Sequence, residues 1–123
     1  MSSEKVKVGI VGLGLVAHSH LKGYRTHPYA EVGAVCDVNN DRARHVADEN
    51  GIEKVYTEYD ALLNDEEIDV IDIATPTFLH SDMAREAAAA GKHVHCEKPF
   101  CRFTGEGLAA CRAAAENKVL LMV

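Results

Sequence analysis

Low-complexity tracts, linkers and internal repeats of about 20 to 50 residues are all missing from this chain, and its 123 residues include only three prolines. With 47 % apolar residues, this composition argues for a compact soluble fold, long enough for one domain with a real core and too short for two ordinary ones. No apolar run approaches membrane-spanning length, and the start Met1-Ser2-Ser3-Glu4-Lys5 lacks the apolar core of a signal peptide, so a cytoplasmic location is expected. There is no basic cluster, and the formal charge of -6 gives an acidic surface that repels nucleic acid and acidic membranes. Cys36, Cys96, Cys101 and Cys111 show no C-x-x-C spacing and are expected to be buried reduced thiols rather than a disulfide, a metal site or a nucleophile. Strand alternation puts His93 and His95 on one face, a pair that a metal could use, but no further ligand motif accompanies them and no metal site is expected.

What the chain does have is a patterned start. Residues 5–11 form an apolar run with the character of a buried strand, and it leads directly into Gly12-Leu13-Gly14-Leu15-Val16-Ala17. That is a G-x-G-x-x-A turn where a dinucleotide-binding fold needs one, between a first strand and a first helix. Gly12 permits the tight turn, Gly14 removes the side chain that would hold the backbone off a pyrophosphate, and Ala17 lets the helix pack close on the strand. Leu15 and Val16 open the helix, whose free N–H groups and positive dipole end suit an anion. A generic α/β turn also uses glycine, so context matters. A helix from 15 to about 27 follows, Pro28 ends it, and a second apolar run, 32–36, finishes at Asp37. Asp37 lies about 20 residues beyond the turn, where a carboxylate accepts hydrogen bonds from the adenosine ribose hydroxyls. The same carboxylate repels a 2′-phosphate, so NAD is expected ahead of NADP. Arg42 pulls weakly the other way, since a guanidinium near the ribose accepts a phosphate; its simpler role is a solvated helix charge.

Strand and helix alternate to the end of the chain, the signature of a parallel sheet with crossover helices. A helix from near Asn39 carries Ala43, Val46 and Ala47 and stops at Gly51; residues 54–57 are a short strand, 60–63 a short helix and 70–74 a central strand. Asp72 inside that strand is an anomaly that needs a partner or an exposed face. Thr75-Pro76 ends the strand, and a helix over about 78–90, buried through Leu79, Met83 and Ala87, stops at Gly91. Residues 92–96 are a fifth strand, Thr104 is expected to cap a helix to about 117, and 119–123 are a sixth strand. The expected fold class is α/β, a doubly wound parallel sheet of six strands in the order 3-2-1-4-5-6, with residues 1–123 as one domain. Ligands bind beyond the carboxyl ends of such strands, where Gly12, Asp37, Thr75, Pro76, Glu97 and Lys98 all fall.

Four ordered motifs carry a resemblance. They are Gly9-Ile10-Val11-Gly12-Leu13-Gly14 with His20 after the turn; Cys36-Asp37 followed by Arg42-Ala43; Ala74-Thr75-Pro76 with His80; and Ala90-Gly91-Lys92-His93-Val94 leading through Cys96 into Glu97-Lys98-Pro99. Together they are similar to the N-terminal nucleotide-binding Rossmann domain of the glucose-fructose oxidoreductase and inositol dehydrogenase family (Gfo/Idh/MocA). The resemblance implies reversible hydride transfer between a nicotinamide cofactor and a sugar, cyclitol or related alcohol. It implies that Lys98 is catalytic, lying near the nicotinamide and moving the alcohol's proton or holding the reacting oxygen. A cation suits either task because alkoxide character develops as hydride leaves carbon. Glu97 orients Lys98, contacts the nicotinamide ribose, or is simply an exposed charge. Thr75 and Pro76 shape the backbone along the cofactor's path, and His80 faces the cofactor or is an ordinary first-turn residue. His18 and His20 lie near the pyrophosphate or are partly exposed structural histidines.

Members of that family continue into a second α/β domain that binds substrate, supplies a further catalytic histidine and usually forms the oligomer interface. The chain ends at Val123, so the expectation is that this substrate domain is missing and that no substrate pocket can be assigned. The partners expected are a nicotinamide dinucleotide and, through that second domain, a small polyol or sugar, with no nucleic acid and no membrane. Apolar surface where the second domain docks leaves room for a homo-oligomer. Gly105 and Gly107 predict a frayed start to the last helix. Three readings follow: the cofactor half of an oxidoreductase, inactive alone; a free-standing NAD-binding module; and another Rossmann-type enzyme such as an S-adenosylmethionine-dependent methyltransferase, against which Glu97-Lys98-Pro99 argues.

Overall fold

The computed structural model describes residues 4–123. Met1-Ser2-Ser3, on which part of the signal-peptide reading rests, lies outside the described residues. The elements run β1 (Val6–Val11), α1 (Leu15–Arg25), β2 (Ala30–Cys36), α2 (Asn40–Asn50), β3 (Lys54–Tyr56), α3 (Tyr59–Leu63), β4 (Val70–Ile73), α4 (His80–Ala89), β5 (His93–Cys96), α5 (Thr104–Glu116) and β6 (Leu121–Met122). All six strands form one parallel sheet in the order β3-β2-β1-β4-β5-β6. No helix among the described residues is long and apolar enough to cross a membrane.

The inner strands read as apolar runs because helices cover both faces of the sheet. On one face Val8, Ile10 and Val35 pack against Ala17 and Leu21 of α1 and Ala43, Val46 and Ala47 of α2. On the other face Val11, Ile71, Ile73 and Val94 pack against Leu62, Met83, Ala84, Ala87 and Ala110 from α3, α4 and α5. Full burial of an Ile or Leu side chain contributes about 1.5–3 kcal/mol, so these two layers hold the strand ends in fixed relation. Lys92 is buried beside them, its Nζ donating to the carbonyls of Asp65 and Ile68 at 2.8 and 2.7 Å. It secures the turn that feeds β4.

Several boundaries differ from the sequence expectation, each for a local reason. α1 ends at Arg25 rather than near His27, because the residue before Pro28 is disfavoured in helical geometry. A 3-10 turn, Thr77–Leu79, precedes α4, so regular helix starts at His80 rather than Phe78. β6 is two residues long: the Val119 N–H turns back to the Ala114 carbonyl and the Leu120 N–H donates to His93 Nδ1, which takes both amides off the ladder. Thr104 does not cap α5; it is the first helical residue, and the cap position falls on Phe103 without a side-chain bond. The end is closed instead by Glu106, whose carboxylate accepts the Arg102 N–H at 3.0 Å. Gly107 is selected by packing, since a Cβ there would stand 3.0 Å from Cys101 Sγ.

Candidate functional site

A cleft of about 800 Å³ opens beyond the carboxyl ends of the strands, where β1 separates β2 from β4. Its near wall is the glycine turn and the start of α1: Gly12, Leu13, Gly14, Leu15 and Val16. Asp37, Val38 and Arg42 flank it on the β2 side, and Thr75, Pro76, Glu97 and Lys98 close the β4 and β5 side.

The turn is held by hydrogen bonds across the strand ends. The Gly12 N–H donates to the Cys36 carbonyl at 2.9 Å, and the Leu13 N–H to Asp37 Oδ2 at 2.9 Å. Gly12 has φ +89°, and a Cβ on it would lie 2.8 Å from the Ala74 carbonyl group and from Thr75 N. Only glycine fits, because the backbone itself makes the contact. Gly14 is the N-cap of α1, with no side-chain cap and no acid in the first turn of the helix. Among the described residues the amides of Gly14, Leu15 and Val16 have no protein partner, and a Cβ on Gly14 would meet no atom within 4 Å. These residues fit a dinucleotide: unpaired donors and a positive helix end face an open cradle, as a pyrophosphate requires.

Asp37 is only 7 % exposed, and its other oxygen accepts the Asn39 N–H at 2.9 Å. The carboxylate therefore does two jobs. It staples the glycine turn to the entry of α2, and with about four lone-pair positions it keeps further acceptor capacity at the cleft wall. Arg42 is half exposed and stands 3.6 Å from Asp37 Oδ2. Cys36 lies at the floor of the cleft, its thiol pushed up to about 12 by burial and by the Asp37 charge.

Two residues expected at the cofactor do not reach the cleft. Ala17 is buried under α1 in the core, where its small size serves packing. His80 is 1 % exposed, its ring nitrogens 2.7 Å from the Thr75 carbonyl and 2.9 Å from the Pro99 carbonyl. It stands between the Thr75 and Pro99 loops on the β4 and β5 side of the cleft. The thiols also divide: Cys36 and Cys96 are buried as expected, but Cys101 is half-buried and Cys111, on the outer face of α5, is exposed.

The structure also brings together residues whose joint role the sequence did not reveal. Asp72 is fully buried and faces α1, where it accepts the Tyr24 hydroxyl at 2.8 Å and lies 2.9 Å from His20 Nδ1. His95, its register partner on β5, stands 3.6 Å away through Nδ1. His20 Nε2 reaches Glu97 Oε2 at 2.8 Å. Burial works to raise the Asp72 pKa, but His95, His20 and Tyr24 outweigh it and hold the carboxyl below its usual range. The Asp72 carboxylate beside it raises His95 above the ordinary histidine value, and burial against the Asp72 charge raises the Tyr24 hydroxyl. His93 does not pair with His95, because its Nδ1 takes the Leu120 amide. His18, the other histidine of α1, is exposed. A signal for this cluster was present. Period-two alternation puts Asp72 on the face of Ile10, and His20 and Tyr24 share a face of α1 at a spacing of i, i+4.

An anion-binding glycine turn at the switch point of a doubly wound sheet, with an acid closing the second strand, defines a dinucleotide-binding domain of the Rossmann class. The chain belongs to the Gfo/Idh/MocA family: residues 6–123 match the family described as oxidoreductase family, NAD-binding Rossmann fold. It is 41 % identical over 97 residues to the inositol 2-dehydrogenase of Salmonella typhimurium, a match covering 77 % of this chain and 29 % of that protein. An oxidoreductase from Agrobacterium radiobacter, solved with NAD+, L-tartaric acid and magnesium, superposes with a TM-score of 0.93 at 30 % identity, over 97 % of this chain and 35 % of that one. A variant of the 3-ketoreductase KijD10 from Actinomadura kijaniata, solved with TDP-benzene and NADP, superposes with a TM-score of 0.92 at 29 % identity, over 97 % and 37 %. The chain thus spans about a third of the length of the proteins it matches.

Proposed function

We propose that this chain is the cofactor-binding part of an NAD-dependent oxidoreductase that transfers hydride between the nicotinamide and a CH–OH group of a sugar, cyclitol or related alcohol. The observation that carries the reading is the convergence of three chemistries on one cleft: the open amides at Gly14–Val16, the acid Asp37 and the cation Lys98. Bound nicotinamide supplies the hydride acceptor or donor. Gly12 and Gly14 shape the cradle, Leu15 and Val16 offer backbone donors to the pyrophosphate, and Asp37 accepts the adenosine ribose hydroxyls. Thr75 and Pro76 wall the cofactor's path. Lys98, on the β5 side of the cleft, takes the hydroxyl proton or holds the oxygen as negative charge develops there. Glu97 orients that end.

NAD is favoured over NADP because Asp37 is buried and ionisable at the ribose end, where a 2′-phosphate would be repelled. Arg42 is drawn toward Asp37, which leaves it less free to meet a phosphate. A second domain in the full protein supplies the substrate pocket and completes the catalytic set, and the apolar residues exposed near the chain's end, Leu120 and Met122, suit docking of that domain or of a second copy.

Calorimetric titration with NADH and with NADPH, on the wild-type chain and on Asp37→Ala, tests the assignment. Wild type is expected to bind NADH more tightly, and the variant to lose that preference. No binding, or an unchanged preference, overturns it.

A further inference from the structure

Behind the reactive end of the cleft, the ring of His20 lies between two carboxylates. Its Nδ1 is 2.9 and 3.1 Å from the two oxygens of Asp72, and its Nε2 is 2.8 Å from Glu97 Oε2. At these distances each contact is a hydrogen bond with a proton between its heavy atoms, so the ring links the two acids. Asp72 supports this: it is fully buried, receives the Tyr24 hydroxyl as well, and is held ionised by its partners. His95 adds a second imidazole at 3.6 Å from Asp72, so two carboxylates face two imidazoles.

The mechanical consequence lies at Glu97. Its N–H is fixed to the Ile73 carbonyl at 2.9 Å, and its side chain is tied through His20 to an anion embedded in the sheet. Both backbone and side chain are pinned at the residue that precedes Lys98, which lines the cleft. We propose that His20, anchored on Asp72, is a positioning residue: it clamps Glu97 and thereby sets the placement of Lys98 at the reacting carbon. The inference rests on the role of Lys98 given above. Its logic is that of any third group that orients a catalytic side chain through a hydrogen bond; the reacting atoms are touched by Lys98, not by His20.

One rival occupant shares the geometry. Ligand atoms of His20, Asp72 and His95 lie within 4.8 Å of one another, and a divalent cation there would bind Nδ1 of a neutral ring whose Nε2–H still donates to Glu97. A cation at Nδ1 and the hydrogen bond between Nδ1 and Asp72 exclude each other.

The test uses the full-length protein, with ¹⁵N-labelled histidine. In wild type both His20 ring nitrogens are expected to read as hydrogen-bonded, assigned by loss of the signal in His20→Ala. With myo-inositol as the first alcohol tried, His20→Ala is expected to lower kcat about tenfold or more with KM little changed, to keep NADH affinity within about threefold, and to recover rate on addition of free imidazole. A merely structural histidine would show no such recovery. A His20 ring with a nitrogen free of hydrogen bonding, an unchanged kcat in His20→Ala, or stoichiometric zinc binding that His95→Ala abolishes would each overturn the clamp. Failure of wild type to bind NADH would overturn the cofactor reading instead, and the ring spectrum would still decide the clamp.

Discussion

The two glycines of the phosphate turn are expected to fail in opposite ways when each is replaced by alanine. Position 12 has φ +89°, and an L side chain in the left-handed half of conformational space costs about 1–2 kcal/mol. Its Cβ would also sit 2.8 Å from Ala74 C, Ala74 O and Thr75 N. These are backbone atoms at the end of a central strand and cannot turn aside, and overpacking of this kind costs about 1–3 kcal/mol. The sum, about 2–5 kcal/mol, is a large part of the roughly 5–15 kcal/mol that holds a domain together. At about 4 °C per kcal/mol for a chain of this size, Gly12→Ala should lower Tm by about 8–20 °C. Position 14 has φ −77° and no atom within 4 Å of a new Cβ, so Gly14→Ala should cost under about 1 kcal/mol, the effect of a poorer N-cap. Its methyl group would occupy the approach to the open amides. NADH affinity is therefore expected to fall more than tenfold, about 1.4 kcal/mol or more, with Tm nearly unchanged. Thermal denaturation and NADH calorimetry on both variants separate the cases. Gly12→Ala melting within about 2 °C of wild type, or Gly14→Ala melting early while binding NADH normally, would refute the division of labour.

Lys98→Ala in the full-length protein should leave NADH affinity close to wild type while removing turnover; collapse of binding would make Lys98 a binding residue. The pairing of His95 with Asp72 gives a signed pH dependence. Because the folded-state value of His95 is raised, its contribution to stability is fully present below the unfolded value of about 6.5 and is lost as pH rises through the raised one. The stability gap between wild type and His95→Gln should accordingly narrow as pH rises, and a gap that widens would contradict the pairing. Alkylation followed by mass spectrometry should label exposed Cys111 first and spare Cys36 and Cys96, whose thiols burial pushes up to about 12; early labelling of Cys36 would mean that the cleft floor opens in solution.

The local features of the fold were legible because each rests on chemistry that neighbouring residues carry. The period of apolar residues marked strands and helices, glycine at positions 12 and 14 marked the turn, and proline at 76 marked a strand end. Strand order followed from these, since right-handed crossovers leave few ways to wind six parallel strands. The wall of the cleft was legible for the same reason: strand ends of a doubly wound sheet share one edge, so Asp37, Thr75 and Lys98 had to meet Gly12.

What the sequence by itself determined, then, is the Rossmann sheet and the identity of most residues along its ligand-binding edge. The tertiary structure alone decided which side chains look into the cleft and which support it from behind. His80 carries a motif position, yet its ring is turned away and stands between two carbonyls. Asp72 looked like an anomaly in a strand, yet it becomes the anchor of His20 and Glu97. The physical reason is range. Alternation and turn chemistry act between residues a few positions apart, whereas the bonds from His20 span 52 and 77 residues and exist only once α1 has packed on the sheet.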